Sequence, residues 1–253
     1  MLNRTKVQEV AAVGIRPNSS ILSVLSHLNY KAWYAVAEFV DNSIQSYLSN
    51  REELRALHGV GYKLTVRVWL DQQNKLIEVT DNAAGIKGAD YPRAFRPAEI
   101  PTDRTGLSEF GMGMKTAACW FTHTWNVRSK ALDEPVERLI RFNLNEIIDG
   151  RLEHLPVLET PASKDAHFTV LRLENLGKKF PVKRTQKKLR DHLASIYRVF
   201  IADGTLELKF NGNVLKYEAP AVLSSVPFTA PGVRSLTEKT PVNWTKNIDF
   251  DFG

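Results

Sequence analysis

Residues 35–46 read AVAEFVDNSIQS, a run of good core residues interrupted by Glu38, Asp41, Asn42 and Gln45. How those polar residues are placed decides the fold. At about 100° per residue, a helix puts Trp33, Val36, Ala37, Val40, Ile44 and Tyr47 on one face and Glu38, Asn42 and Gln45 on the other. An ordinary amphipathic helix shows such a face to solvent. A solvated face and a polar cleft wall both satisfy this pattern, and the rest of the chain has to choose between them.

Working outward, a short helix is expected at 19–28, upstream of the helix that runs to about Leu48. Downstream, KLTVRVWLD (63–71), a turn at QQN, and KLIEVTDNAAGI (75–86) read as two antiparallel strands, the second ending at Asp81. Residues 87–110 are polar and read as a long loop, functional or mobile at that length. A helix is expected from about Met112, then strands near HTWNVRSK, VERLIRFNL and HFTVLRLE. An amphipathic helix with Leu189, Leu193, Tyr197 and Phe200 on one side follows, and TLELKFNGNVLKYE reads as a hairpin turning at Asn211 and Gly212. The ending IDFDFG reads as a sheet cut before its remaining strands.

Composition narrows the classes. The chain has 253 residues, of which 43% are hydrophobic, enough for a core. It has no long apolar run and no signal-like start, so a cytoplasmic location is expected. The single Cys119 excludes an internal disulfide, and the scattered histidines argue against a zinc-type centre. The formal charge of +6 concentrates in GKKFPVKRTQKKLR (177–190), which suits an anionic partner.

The segment GLSEFGMGMKTAACW carries Gly106, Gly111 and Gly113 just before a helix, with Lys115 in its first turns. Glycines let backbone N–H groups approach a ligand, and a helix start favours anions, so phosphate is the natural guest; a tight loop-to-helix corner is the plainer reading. Gly106 and Gly111 have the spacing of a Walker A loop, but MGMK follows where Lys and Ser or Thr should be, and the dinucleotide fingerprint fails as well.

Taken in order, Glu38 and Asn42 on one helix, Asp81 with Gly85 four residues later, and a loop closed by FGMGMK resemble the ATP-binding domain of the GHKL superfamily (gyrase, heat-shock chaperone, histidine kinase, MutL). Within it, EFGMGMKTA is most similar to microrchidia-type ATPases. The resemblance covers about residues 19–175 and implies an α+β fold, a two-layer sandwich of the Bergerat type. It divides the chain into an N-terminal segment (1–18), an ATP-binding domain (19–178), and a connector helix leading into a transducer-like domain (179–253).

The resemblance further implies that Asn42 holds Mg²⁺, that Glu38 deprotonates the attacking water, and that Asp81 accepts a hydrogen bond from the adenine amino group with support from Thr169. Gly85 and Ile86 would lie beside the base, and Gly111, Met112, Gly113, Met114 and Lys115 would surround the phosphates, Lys115 with a catalytic part. Two positions depart from the family pattern: Ala83 replaces the first glycine of Asp-x-Gly-x-Gly, and Ser108 stands where relatives often carry Gly. The function implied is Mg²⁺-dependent ATP binding and slow hydrolysis by a head that dimerises on ATP, with DNA as a further partner through residues 178–190 and no membrane. The alternatives are a nucleotide-gated binding module and a chaperone-like protein, both with little turnover.

Overall fold

The computed structural model describes residues 24–96, 113–149 and 154–218. The first half of the short helix expected at 19–28 falls outside them, as do most of the 87–110 loop, Gly111, Met112 and the segment beyond 218.

Helix α1 (Ala32–Ser49) buries Ala35, Val36, Ala37, Phe39, Val40, Ile44 and Tyr47. The polar face of the opening stretch therefore has a core behind it. A second helix, α2 (Arg51–His58), follows after Asn50. Sequence reading ends the helical segment near Leu48 because only Leu54 of α2 is buried, which leaves too few apolar positions to mark a period.

Strands β1 (Leu64–Asp71) and β2 (Leu76–Asp81) pair antiparallel as expected. The next segment departs from the expected loop: a 3-10 turn, Gly88–Asp90, leads into α3 (Tyr91–Phe95), whose Tyr91 and Phe95 are buried. Five residues are too short for helical periodicity to show. Helix α4 (Gly113–Phe121), β3 (Thr124–Lys130) and β4 (Val136–Asn143) stand where expected. A short α5 (Leu144–Ile148) and an edge strand β5 (Val157–Pro161) were not legible; every residue of β5 is exposed, so no alternation marks it.

Strand β6 (Phe168–Glu174) precedes α6 (Lys183–Ile196), α7 (Arg198–Ala202), β7 (Leu206–Phe210) and β8 (Asn213–Val214). The β7–β8 turn places Asn211 at φ 46° and Gly212 at φ 81°. Two successive positive φ values are what a two-residue hairpin of matching twist requires.

All eight strands form one sheet in the order β5-β4-β3-β6-β2-β1-β7-β8. Its inner face offers Leu64, Val66 and Val68 from β1, Val79 from β2, Trp125 and Val127 from β3, Leu171 and Leu173 from β6, and Leu206 and Leu208 from β7 to the common core. Helices α1, α4 and α6 complete the second layer, α1 in contact with both of the others.

Strand β7 pairs in parallel with β1, extending the same sheet, and α6 packs on α1. The sheet continues past the boundary expected at 178–179, and the compact unit runs to Tyr217. Parallel pairing needs a long crossover, so no local turn signal announces it.

Candidate functional site

A cleft of about 310 Å³ opens between α1, the inner face of β2 and β6, and the start of α4. Val79 and Leu171 form an apolar floor, and Asn42, Ser43, Asp81, Ile86, Met114 and Thr169 stand around it.

One end is built by strand register. Asp81 lies opposite Thr169, and Thr169 opposite Ser129, so three polar side chains line up across β2, β6 and β3. The Asp81 carboxylate accepts from the Ser43 hydroxyl at 2.7 Å and from the backbone N–H of Ala83 at 3.0 Å. Burial pushes its pKa up to about 6 against the pull of those hydrogen bonds. It is therefore ionised at neutral pH, an acceptor aimed into a largely apolar cleft. Ser129 Oγ accepts from the Ile86 N–H at 2.9 Å, donates to the Phe168 carbonyl at 3.1 Å, and lies 3.2 Å from Thr169 Oγ1.

The turn after Asp81 is held from behind. His167 Nδ1 donates to the Ala83 carbonyl at 2.8 Å, which leaves its Nε2 to accept from His58 Nε2 at 2.6 Å, and Tyr62 Oη donates to the Asn82 carbonyl at 2.8 Å. Gly85 closes the turn at φ 74°, and an added Cβ would stand 2.1 Å from the Lys130 carbonyl oxygen. Ala83 is fully buried and outside the positive-φ region, so the departure from the family glycine costs no backbone strain.

The other end is built by α1 and α4. Asn42 Nδ2 donates to the Glu38 carbonyl at 2.7 Å, which turns its Oδ1 away from the helix backbone. Glu38 sits just beyond the cleft lining: Oε1 accepts from Tyr30 Oη at 3.0 Å, and Oε2 lies where a Cβ on Gly113 would fall. One turn along α1, Asp41 accepts from Tyr197 Oη at 2.8 Å, and burial pushes its pKa up to about 6.

Lys115, which the resemblance would set beside the phosphates, belongs to α4. It is buried, outside the cleft lining, with Nζ donating to the carbonyls of Arg93 at 3.2 Å and Ala94 at 3.1 Å. The structure thus brings together Asn42, Asp81, Gly85, Ile86, Gly113, Met114 and Thr169, with Glu38 adjoining. Gly111, Met112 and Ser108 lie outside the described residues.

Three residues of the site escaped the sequence reading. Ser43 is a buried polar residue within the apolar run of α1, and Ser129 falls on the inward alternation of β3 after Trp125 and Val127. A polar residue at a core position was the available signal for both. Tyr30 lies eight residues before Glu38 and carries no sequence signal of its role.

The basic segment 178–190 is partly committed within the fold. Lys179 donates to the carbonyls of Ser26 and Trp120, Lys187 and Arg190 pair with Asp191, and Lys188 covers the Trp33 ring. Lys178, Lys183 and Arg184 line a shallow groove beside Phe180 and Val182.

Among the described residues, no helix is long and apolar enough to cross a membrane. No curated protein matches the sequence. Two solved structures of the ATPase region of Saccharomyces cerevisiae topoisomerase II are similar. One, bound to ICRF-187 (dexrazoxane), is 14% identical with a TM-score of 0.50, over 73% of this chain and 49% of that one. The other is 15% identical with a TM-score of 0.49, over 73% and 48%. This chain therefore spans about half the length of those structures, and at 14% identity the likeness to the first bears on the fold alone. The family described as "Histidine kinase-, DNA gyrase B-, and HSP90-like ATPase" matches residues 30–175, more than half of the chain and the whole of the cleft. By that match, and with the eight-stranded α+β sandwich that carries the cleft, this chain belongs to the GHKL ATPase superfamily.

Proposed function

We propose that the cleft binds ATP with Mg²⁺ and that Glu38 activates water for hydrolysis, in a head of the microrchidia or MutL kind that dimerises on nucleotide and serves a DNA-related process in the cytoplasm. The observation that carries this reading is the alignment of Asp81, Thr169 and Ser129 across three strands beneath Ser43. An ionised acceptor over an apolar floor suits a planar ring with an exocyclic amine: Val79 and Leu171 take the ring, and Asp81 takes the amine.

From that end the nucleotide would extend along α1 toward Gly113. The donor set fits a magnesium ion. Asn42 spends its N–H on the helix and keeps a neutral oxygen, and no cluster of three or more His, Cys, Asp or Glu occurs among the described residues. Asn42 would thus be one ligand among phosphate and water oxygens, the coordination magnesium favours. When bound, Mg²⁺ would neutralise charge on the phosphates. Glu38, next to Gly113, would take a proton from water at the γ-phosphate end. Lys178, Lys183 and Arg184 would meet DNA phosphates from outside the cleft.

A second reading, nucleotide-gated binding with little turnover, is favoured by Lys115, whose ammonium is held by the carbonyls of Arg93 and Ala94. Single-turnover hydrolysis at high protein concentration separates the two. The expected result is product formation that Glu38→Ala lowers by roughly 10² to 10⁴ while ATP affinity is kept. Tight binding with no product in the parent supports the module, and undiminished turnover in the variant removes Glu38 from its role.

A further inference from the structure

We propose that Tyr30 is the positioning residue for Glu38, and that helix α4 sets the base through both of its ends. This inference rests on the reading of Glu38 as the general base. The Glu38 carboxylate is gripped at two points: Oε1 by the Tyr30 hydroxyl at 3.0 Å, Oε2 against the Cα of Gly113, the first residue of α4.

Tyr30 is itself fastened to the far end of α4. Its ring meets Trp120 edge to face, with centroids 5.9 Å apart and planes at 89°. Trp120 Nε1 donates to the Leu28 carbonyl at 3.0 Å. The Lys179 ammonium joins the same two segments by donating to the carbonyls of Trp120 and Ser26. The stretch carrying Tyr30 therefore moves with the C-terminal turn of α4, while the first residue of α4 limits where the carboxylate can go. Burial and the Glu38 charge push the Tyr30 hydroxyl pKa well up, so it remains a donor throughout the neutral range.

The consequence for the reaction is geometric. A glutamate side chain has three rotatable bonds, and a base helps only while its oxygen stays within hydrogen-bond reach of the water it deprotonates. With Oε1 spent on Tyr30, the other oxygen is the one presented beside Gly113.

The test compares the parent, Tyr30→Phe, Glu38→Gln and the double variant in the full chain. Phe keeps the ring on Trp120 and removes only the hydroxyl. We expect unchanged melting temperature, ATP affinity and KM, with kcat lowered about 10- to 100-fold, the size of one hydrogen bond to a charged group. The double variant should be no slower than Glu38→Gln alone, because the two residues act as a unit. A kcat within twofold of the parent, or a fall matched by a rise in KM, overturns the proposal for Tyr30 while leaving Glu38 as the base. Full turnover in Glu38→Gln overturns the base assignment and, with it, this proposal. Should the parent show no turnover, crystal structures with a non-hydrolysable ATP analogue decide. The Glu38 carboxylate leaves its place beside Gly113 in Tyr30→Phe if the proposal holds; an unmoved carboxylate overturns it.

Discussion

The two ends of the cleft are made in different ways, and their glycines show it. At the Asp81 end, a Cβ on Gly85 would collide with the backbone of Lys130 and Ala131, which cannot yield. At the Glu38 end, a Cβ on Gly113 would overlap the carboxylate of the Glu38 side chain, which can swing. One end is a fixed mould set by strand register. The other is an arrangement of side chains that depends on where α4 sits.

The largest expected effect tests the mould. Gly85→Ala should destabilise the protein by about 3–5 kcal/mol, combining positive-φ strain with an unrelieved overlap. Urea denaturation checks it, and a loss under 1 kcal/mol would mean that the turn can shift and the end is not rigid.

Asp81→Asn comes next and should act in two directions. ATP affinity should fall about 100-fold by calorimetry, since an amide is a weaker acceptor and leaves a polar group unpaired in the cleft. The unliganded protein should gain about 3 kcal/mol at pH 7, because the native pKa of about 6 lies above the ordinary aspartate value. The sign follows from proton linkage: between pH 4 and 6 the native state holds more protons than the unfolded chain, so the charge costs stability as pH rises. The gain should vanish toward pH 4, and a gain independent of pH would place its source elsewhere. In the parent, ATP affinity should fall as pH drops through about 6; in the variant that fall should be absent.

Ser43→Ala removes one hydrogen bond to Asp81 and should weaken ATP about 10-fold while costing about 1–2 kcal/mol of stability. Unchanged affinity would show that register alone aims the carboxylate.

The smallest expected effect lies at the other end. Gly113→Ala should alter stability by under about 1 kcal/mol, since alanine suits a helix and Glu38 can give way. Hydrolysis should still fall, because the displaced carboxylate loses its place. If Gly113→Ala proves as damaging to stability as Gly85→Ala, the contrast between the two ends disappears.

Much of the mould was legible beforehand. Alternation in KLTVRVWLD and KLIEVTD gives the two strands and puts Asp81 at the end of the second, and the ordered motifs point to the superfamily that residues 30–175 match. Helix periodicity places Glu38 and Asn42 on one face of α1. The elements left out of the sequence reading, α2, α3, α5 and β5, are short or poor in buried residues and so leave no period to detect.

What the sequence determined by itself is the set of local facts: where the longer helices and strands run, which face of α1 is polar, and that β2 ends at Asp81. Those follow from periodicities of 3.6 and 2 and from backbone sterics, which act between near neighbours. Only the tertiary structure decided that Asp81, Thr169 and Ser129 form one row, that Ser43 reaches the first of them, that β7 joins β1, and that Lys115 is held by the carbonyls of Arg93 and Ala94. It also decided that Tyr30 and Gly113 grip the same carboxylate. Each of those contacts, apart from Tyr30 with Glu38, joins residues more than twenty positions apart, and such pairs are chosen by how the whole sheet and its helices pack, which no local pattern encodes.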